Sequence, residues 1–159
     1  MKKIFLFLVL GCLFAASAAQ AAVKMPEFTL PDATTGQQVK SDTFAGKAVL
    51  VTFFASWCPT CLQEIPILME MQNKFAPQGF SLVGLSVDQD GASAVQRLIR
   101  RASVNFPVLL ADMSVVENFG GVYMIPVSFL VNRSGQVVKK YPGPVPASIL
   151  EKDIRSVLQ

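Results

Sequence analysis

Ala48-Val49-Leu50-Val51-Thr52-Phe53-Phe54-Ala55-Ser56-Trp57-Cys58-Pro59-Thr60-Cys61 sets two thiols two residues apart where an apolar run, Ala48 to Ala55, gives way to a helical pattern. A near-continuous stretch of β-branched and aromatic residues is the mark of a central strand buried on both faces. Beyond the cysteines, Leu62, Ile65, Leu68, Met69 and Phe75 recur at helical spacing, so residues 59–75 read as an amphipathic helix with that face inward. Pro59 suits a first helical turn, and Pro66 predicts a kink. With the strand ending at Ser56 and the helix beginning near Cys58, the sulfur of Cys58 falls at a helix N-terminus. Unpaired N–H groups and the macrodipole favour an anion there. Cysteines so placed titrate at about 3.5 to 7.5, against about 8.5 for the free residue.

Cys58 and Cys61 are the only cysteines outside the first 22 residues, and the chain contains no histidine. Haem attachment is excluded, because position 62 is Leu where that motif requires His. Cys and His alone cannot complete a four-ligand zinc shell. As a staple the bridge would be weak, since closing so short a ring removes only about 2 kcal/mol of unfolded-chain entropy. A dithiol/disulfide redox site is the reading that remains, beside an inert or metal-sharing pair. Cys58 would attack as thiolate, and Cys61, one turn deeper, would resolve the mixed disulfide. Trp57 either covers the sulfur as an apolar docking surface or fills core. Glu64 shares a helical face with both thiols at i, i+3 and i+6. It either opposes thiolate formation and relays a proton at Cys61, or is an ordinary exposed helical acid. Thr52, on the strand, fits core packing with a local hydrogen bond.

Residues 1–21 read as an export signal, with Lys2 and Lys3 charged, Ile4 to Ala15 apolar and Ala19-Gln20-Ala21 as the cleavage site. The apolar run is short of the roughly 20 residues that span a bilayer. An uncleaved N-terminal anchor is one alternative, and a loose lipobox, Val9-Leu10-Gly11-Cys12, with Cys12 lipidated, is another. Each puts residues 22–159, read as one domain, outside the cytoplasm in a periplasm-like setting where disulfides persist. The full chain carries +3; taking Lys2 and Lys3 from its 14 basic residues leaves 12 against 11 acidic ones, a net charge of +1. Such a balance carries no nucleic-acid footprint.

Glu27 to Leu30, a turn at Thr35-Gly36 and Gln37 to Lys40 read as a leading hairpin, and Ser41 to Phe44 as a capped turn. Phe80 to Val87 is a second core strand. Gly91 to Ala102 is a helix with Val95, Leu98 and Ile99 inward and Arg97, Arg100 and Arg101 mostly outward, as a solvated face or, alternatively, a docking patch. Phe106 to Leu110 reads as a strand, Ser114 to Phe119 as a short helix and Val127 to Val131 as a strand that Ile125-Pro126 opens. A turn at Arg133-Ser134-Gly135 leads into Gln136 to Tyr141, and Ala147 to Leu158 closes the chain as a helix. The order predicts an α/β layer with a parallel core and an antiparallel edge.

Over essentially all of this region the chain resembles the exported thioredoxin-fold thiol-disulfide oxidoreductases of the TlpA, ResA and DsbE group, several of which support cytochrome c maturation. The likeness lies in the leading hairpin, Phe54-Ala55-Ser56-Trp57-Cys58-Pro59-Thr60-Cys61, Glu64, the segment between Val87 and Phe119 that minimal thioredoxins lack, Phe106-Pro107-Val108, and Gly121 to Pro126 ahead of Ser128 to Val131. It implies a thioredoxin fold with an N-terminal β-hairpin and a central strand-helix insertion. It implies Cys58 and Cys61 as the redox pair, Glu64 as the nearby acid and Pro126 as a cis-proline beside the sulfurs. Ile125 would offer its backbone to an extended substrate, and Trp57, Pro59 and Thr60 would line the same contact. Two positions depart from pattern: Thr52 stands where thioredoxins carry a buried Asp, and Val127 where the group usually has Thr after the cis-proline.

The leading expectation is a cofactor-free, metal-free, monomeric reductase that takes electrons from a membrane thiol carrier and passes them to a disulfide-bearing client protein. A disulfide oxidase or isomerase would use the same atoms with opposite poise. A thiol peroxidase needs Thr three residues before its Cys, where this chain has Ala55. A binding module that keeps the fold without the chemistry would depend on the Ile125-Pro126 groove alone.

Overall fold

The computed structural model describes residues 23–89 and 91–159. The expected export signal, residues 1–21, and Cys12 with its lipid lie outside the described residues. Strands β1 (Thr29–Pro31) and β2 (Gln38–Lys40) form the leading antiparallel hairpin, with Leu30 opposite Val39. Its turn closes on Asp32, whose Oδ1 accepts from the N–H groups of Thr34 (2.9 Å) and Thr35 (2.8 Å). Ser41 to Phe44, expected as a capped turn, is a one-turn 3-10 helix without a side-chain cap. The Ser41 hydroxyl instead accepts from the Phe28 N–H at 3.2 Å, which ties the turn back to the hairpin.

Five further strands make the main sheet: β3 (Ala48–Phe54), β4 (Phe80–Ser86), β5 (Val108–Leu110), β6 (Val127–Val131) and β7 (Val137–Pro142). Their order is β5-β4-β3-β6-β7. β3 lies parallel to β4, which lies parallel to β5; β6 and β7 then run antiparallel, giving the expected parallel core and antiparallel edge. Helices α1 (Pro59–Phe75), α2 (Ala92–Ala102), α3 (Met113–Asn118) and α4 (Ala147–Leu158) cover the two faces. The segment between Val87 and Phe119 contributes α2, β5 and α3, the insertion that the resemblance implied. Among the described residues no helix is long and apolar enough to cross a membrane.

Every residue of β3 is buried, and the pleat sends alternate side chains to opposite faces. Leu50 and Phe54 join Leu68, Met71 and Phe75 of α1 and Leu150 and Ile154 of α4. Val49, Val51 and Phe53 join Val115, Phe119 and Phe129 on the other side. There Phe53 meets the Phe119 ring at 5.2 Å and the Phe129 ring at 6.1 Å, both edge to face. Burying one such ring contributes about 1.5–3 kcal/mol. Gly84 in β4 makes room on the first face: a Cβ there would lie 3.0 Å from Phe54 Cε1 and 3.3 Å from Phe106 Cε2.

Two further segments differ from the sequence expectation. β5 begins at Val108 and not at Phe106, because Pro107 has no N–H to donate; its carbonyl still accepts from Gly84 N–H at 2.9 Å, and Phe106 remains buried. α1 has the expected limits and continues as one helix through Pro66, but its buried face is Cys61, Glu64, Ile65, Leu68, Met71 and Phe75. Leu62 is exposed and Met69 only half-buried, so the inward stripe runs through the second cysteine and takes in an acid that hydropathy alone places outside.

Both ends of the sheet are fastened to the N-terminal segment. Ala33 N–H donates to Val108 C=O at 2.8 Å, holding the hairpin against β5. At the other edge Val137 N–H donates to Val23 C=O and Met25 N–H to Gly135 C=O, each at 2.8 Å, so residues 23–25 lie along the start of β7.

Candidate active site

β3 delivers the chain to the site and α1 begins there. Cys58 is the N-cap of α1, with extended backbone (φ −89°, ψ 108°), and Pro59 occupies the first helical turn, where its missing N–H costs nothing. The sulfur of Cys58 takes the place usually filled by a capping oxygen: Cys61 N–H donates to it at 3.2 Å. The Thr60 hydroxyl lies 3.4 Å from the same sulfur. The pair is joined as a disulfide, with Cα atoms 5.3 Å apart. When the bridge opens, a Cys58 thiolate has that N–H, the hydroxyl and the helix N-terminus in place to receive its charge.

Cys58 is the outer sulfur and Cys61 the inner one, 5% and 2% exposed respectively. Both residues are buried, the outer one less completely. Access is through the outer cysteine. Trp57 beside it is 63% exposed, which excludes the core-filling reading. Pro59 and Thr60 are exposed on the same rim. Opposite, Ile125-Pro126 is a cis peptide, with Pro126 buried and Ile125 half-buried. Pro126 C=O accepts from Gly143 N–H at 2.9 Å, while among the described residues neither the N–H nor the C=O of Ile125 has a backbone partner.

Behind the disulfide, Cys61, Glu64, Thr52 and Pro126 line one narrow, mostly apolar crevice floored by Phe54 and Phe106. Glu64 is 2% exposed, which excludes the ordinary exposed acid. Its Oε1 accepts from Val145 N–H at 2.8 Å, in the segment that leads from β7 into α4. Burial pushes the Glu64 carboxyl above its ordinary value of 4.5, and the Val145 hydrogen bond only partly opposes that. Thr52 is equally buried and accepts from the Ser128 hydroxyl at 2.9 Å, the local hydrogen bond expected of it.

Two features escape a reading of the sequence. Asp88, just past β4, reaches the loop between β3 and α1: its carboxylate accepts from Ser56 N–H (2.8 Å), the Ser56 hydroxyl (2.5 Å) and the Ser86 hydroxyl (2.7 Å). Only the parallel pairing of Phe54 with Ser86 brings these residues together, and no local motif announces it. Tyr123 and Met124, immediately before the cis peptide, are 95% and 60% exposed, large side chains left in solvent in the loop that leads to Pro126. The Tyr123 ring lies over Gly121 (φ +81°), where a Cβ would come within 2.6 Å of it.

The Redoxin family profile matches residues 20–158. Among curated relatives, the thiol-disulfide oxidoreductase ResA of Bacillus subtilis (strain 168) is 32% identical over 126 residues, covering 79% of this chain and 69% of that protein. ResA of Bacillus thuringiensis subsp. konkukian is 26% identical over 83% of this chain and 75% of its own. Among solved structures, a thiol:disulfide interchange protein of the thioredoxin family from Chlorobium tepidum superposes with a TM-score of 0.80 at 29% identity, covering 87% of this chain and 97% of that one. The thioredoxin domain of a thiol-disulfide oxidoreductase from Bacteroides vulgatus does so with a TM-score of 0.74 at 27% identity, over 84% and 96% of the two chains. Fold, paired cysteines and relatives agree: the chain belongs to the Redoxin family and is a thioredoxin-fold thiol-disulfide oxidoreductase of the TlpA, ResA and DsbE type.

Proposed function

We propose that this oxidoreductase works as a reductase of disulfides in exported client proteins, in the periplasm, with Cys58 as nucleophile and Cys61 as resolving thiol. The Cys58 thiolate attacks one sulfur of the client disulfide, forms a mixed disulfide and expels the other client sulfur as a thiolate, which takes up a proton. Cys61 then gives up its proton and attacks Cys58 Sγ, releasing the second client thiol and forming the Cys58–Cys61 bridge. Two electrons and two protons pass to the client. Two electrons from a membrane thiol carrier reopen the bridge. The resemblance extends the client range to proteins of cytochrome c maturation.

The observation that carries this reading is the division of labour between the sulfurs. Cys58 is the outer one, capped by Cys61 N–H at 3.2 Å, and Cys61 faces the crevice with Glu64. Glu64, held at the base of that crevice, is the group we assign to take the Cys61 proton as the second step begins. A buried carboxyl and the absence of any histidine leave thiolates here with only the helix N-terminus and two donors for support, which favours the reducing direction. Trp57, Pro59 and Thr60 on one side and the free backbone of Ile125 beside Pro126 on the other form a slot for an extended client segment, held by strand-type hydrogen bonds. The protein is proposed to do this as a monomer, without metal or cofactor.

Equilibration with glutathione, read by alkylation and mass, tests the direction. A potential near that of thioredoxin, about −270 mV, supports the reductase; one near about −120 mV makes the protein an oxidase. A Cys61→Ala variant should accumulate a covalent adduct with its client that dithiothreitol releases. No adduct in Cys61→Ala, with unaltered function in Cys58→Ser, would leave a binding module in place of an enzyme.

A further inference from the structure

Asp88 is tied to the nucleophile's loop by neutral donors alone. Ser56 gives its N–H and its hydroxyl, Ser86 gives a second hydroxyl, and the Asp88 N–H returns a bond to Ser86 Oγ at 3.2 Å. The ion pairs among the described residues, Lys74–Glu151, Lys139–Asp153 and Arg155–Glu151, lie elsewhere. Dipoles hold the carboxylate in place but leave its charge uncancelled. Ser56 precedes Cys58 by two residues, so two Cα steps of about 3.8 Å, with the hydrogen bond at one end and the cysteine side chain at the other, keep the carboxylate within roughly 15 Å of the Cys58 sulfur. The segments that carry the sulfurs, the cis-proline and the approach to α4, residues 54–63, 119–131 and 141–149, contain no Lys, Arg, Asp or Glu.

We propose that Asp88 sets the redox poise of the pair, its fixed negative charge opposing the Cys58 thiolate and so driving the equilibrium towards the disulfide. The protein disulfide takes two electrons and two protons from dithiothreitol and becomes a dithiol, while dithiothreitol becomes its cyclic disulfide. Only the reduced protein carries a sulfur that ionises, so an anion nearby penalises that side alone. Asp88 touches no reacting atom; it is a positioning residue that holds the loop and its charge together. The inference rests on the reading of Cys58 and Cys61 as the exchanging pair.

The test is the equilibrium constant for reduction by dithiothreitol, an uncharged probe, in wild type, Asp88→Asn and Ser56→Ala. Asn keeps an acceptor for Ser56 and loses the charge, so its constant should favour the dithiol by between about threefold and tenfold; tenfold is about 30 mV for this couple. Ser56→Ala keeps the charge and loses one donor, and its constant should stay within about twofold of wild type. An Asp88→Asn constant equal to that of wild type, or a Ser56→Ala shift as large as that of Asp88→Asn, overturns the inference and leaves Asp88 a purely structural tie. Should Asp88→Asn fail to fold, the wild-type constant measured from low to high salt replaces it. Screening should then move that constant towards the dithiol, and a flat response overturns the inference. Failure of wild type to equilibrate with dithiothreitol at all would instead remove the exchanging pair itself.

Discussion

Glu64→Gln should stabilise the oxidised protein relative to wild type as pH rises. The carboxyl is buried and its folded pKa lies above 4.5, so over the interval between those values the folded chain holds a proton that the unfolded chain has released. Stability from this group is therefore complete below about pH 4.5 and is lost as pH climbs through the folded pKa, at up to about 1.4 kcal/mol per pH unit. Gln has no such slope and retains an oxygen for Val145 N–H, now 2.8 Å from Glu64 Oε1. Any cost of burying its amide is a constant offset. Every other carboxylate titrates alike in both proteins and cancels in the difference. With the disulfide intact neither thiol titrates. Urea unfolding followed by far-ultraviolet circular dichroism from pH 4 to pH 8 measures the effect. For a slope m of about 2 kcal/mol/M the midpoint difference should grow by up to about 0.7 M per pH unit until the folded group has ionised. Glu64→Ala is the control for the hydrogen bond: stranding the Val145 N–H should cost about 1–3 kcal/mol. A Gln-minus-wild-type difference that is flat or falls with pH would refute both the burial of the charge and its proposed part in the Cys61 step.

Gly84→Ala should lower stability by about 1–3 kcal/mol, read as an earlier urea midpoint, because its Cβ meets Phe54 at 3.0 Å in a packed face. Thr52→Val should cost about 1–3 kcal/mol by stranding the Ser128 hydroxyl. The double change with Ser128→Ala should recover much of that loss in a double-mutant cycle, and strict additivity would show the bond to be idle. Trp57→Ala should slow exchange with an apolar disulfide peptide while leaving the dithiothreitol equilibrium within about twofold, since the indole is 63% exposed on the rim. Equal slowing towards both reagents would count against a docking role.

Strand β6 and helices α1 and α4 have the limits their sequences predict, and β3 starts where expected but stops at Phe54, two residues before Ser56, because each is an unbroken apolar run or a periodic segment bounded by Pro or Gly. The placement of Cys58 at a helix start follows from the same junction. What the sequence does not disclose is anything decided by tertiary packing. The inward face of α1 is rotated to take Glu64 and Met71 and to leave Leu62 outside, because Cys61 must reach the crevice behind β3. Helical spacing put Glu64 on the thiol face, but its burial depends on Val145, 81 residues away. Asp88 and Ser56 are 32 residues apart and meet only through strand register. Trp57 and Tyr123 are aromatic residues that composition would assign to the core; their exposure reflects positions in loops beside the sulfurs and not their hydropathy.

The seam between residues 23–25 and the start of β7 has a directional consequence. β7 reaches β3 through two antiparallel steps and so runs the same way as β3. Its beginning marks one pole of the molecule, while the sulfurs crown the other, a strand length of about 20 Å distant. A leash attached upstream of Val23 would emerge from the base. If that leash held the protein to a bilayer, the reactive crown would look outward to passing clients, and a donor embedded in the lipid would have to lift its own thiols clear of the surface by about the height of the sheet.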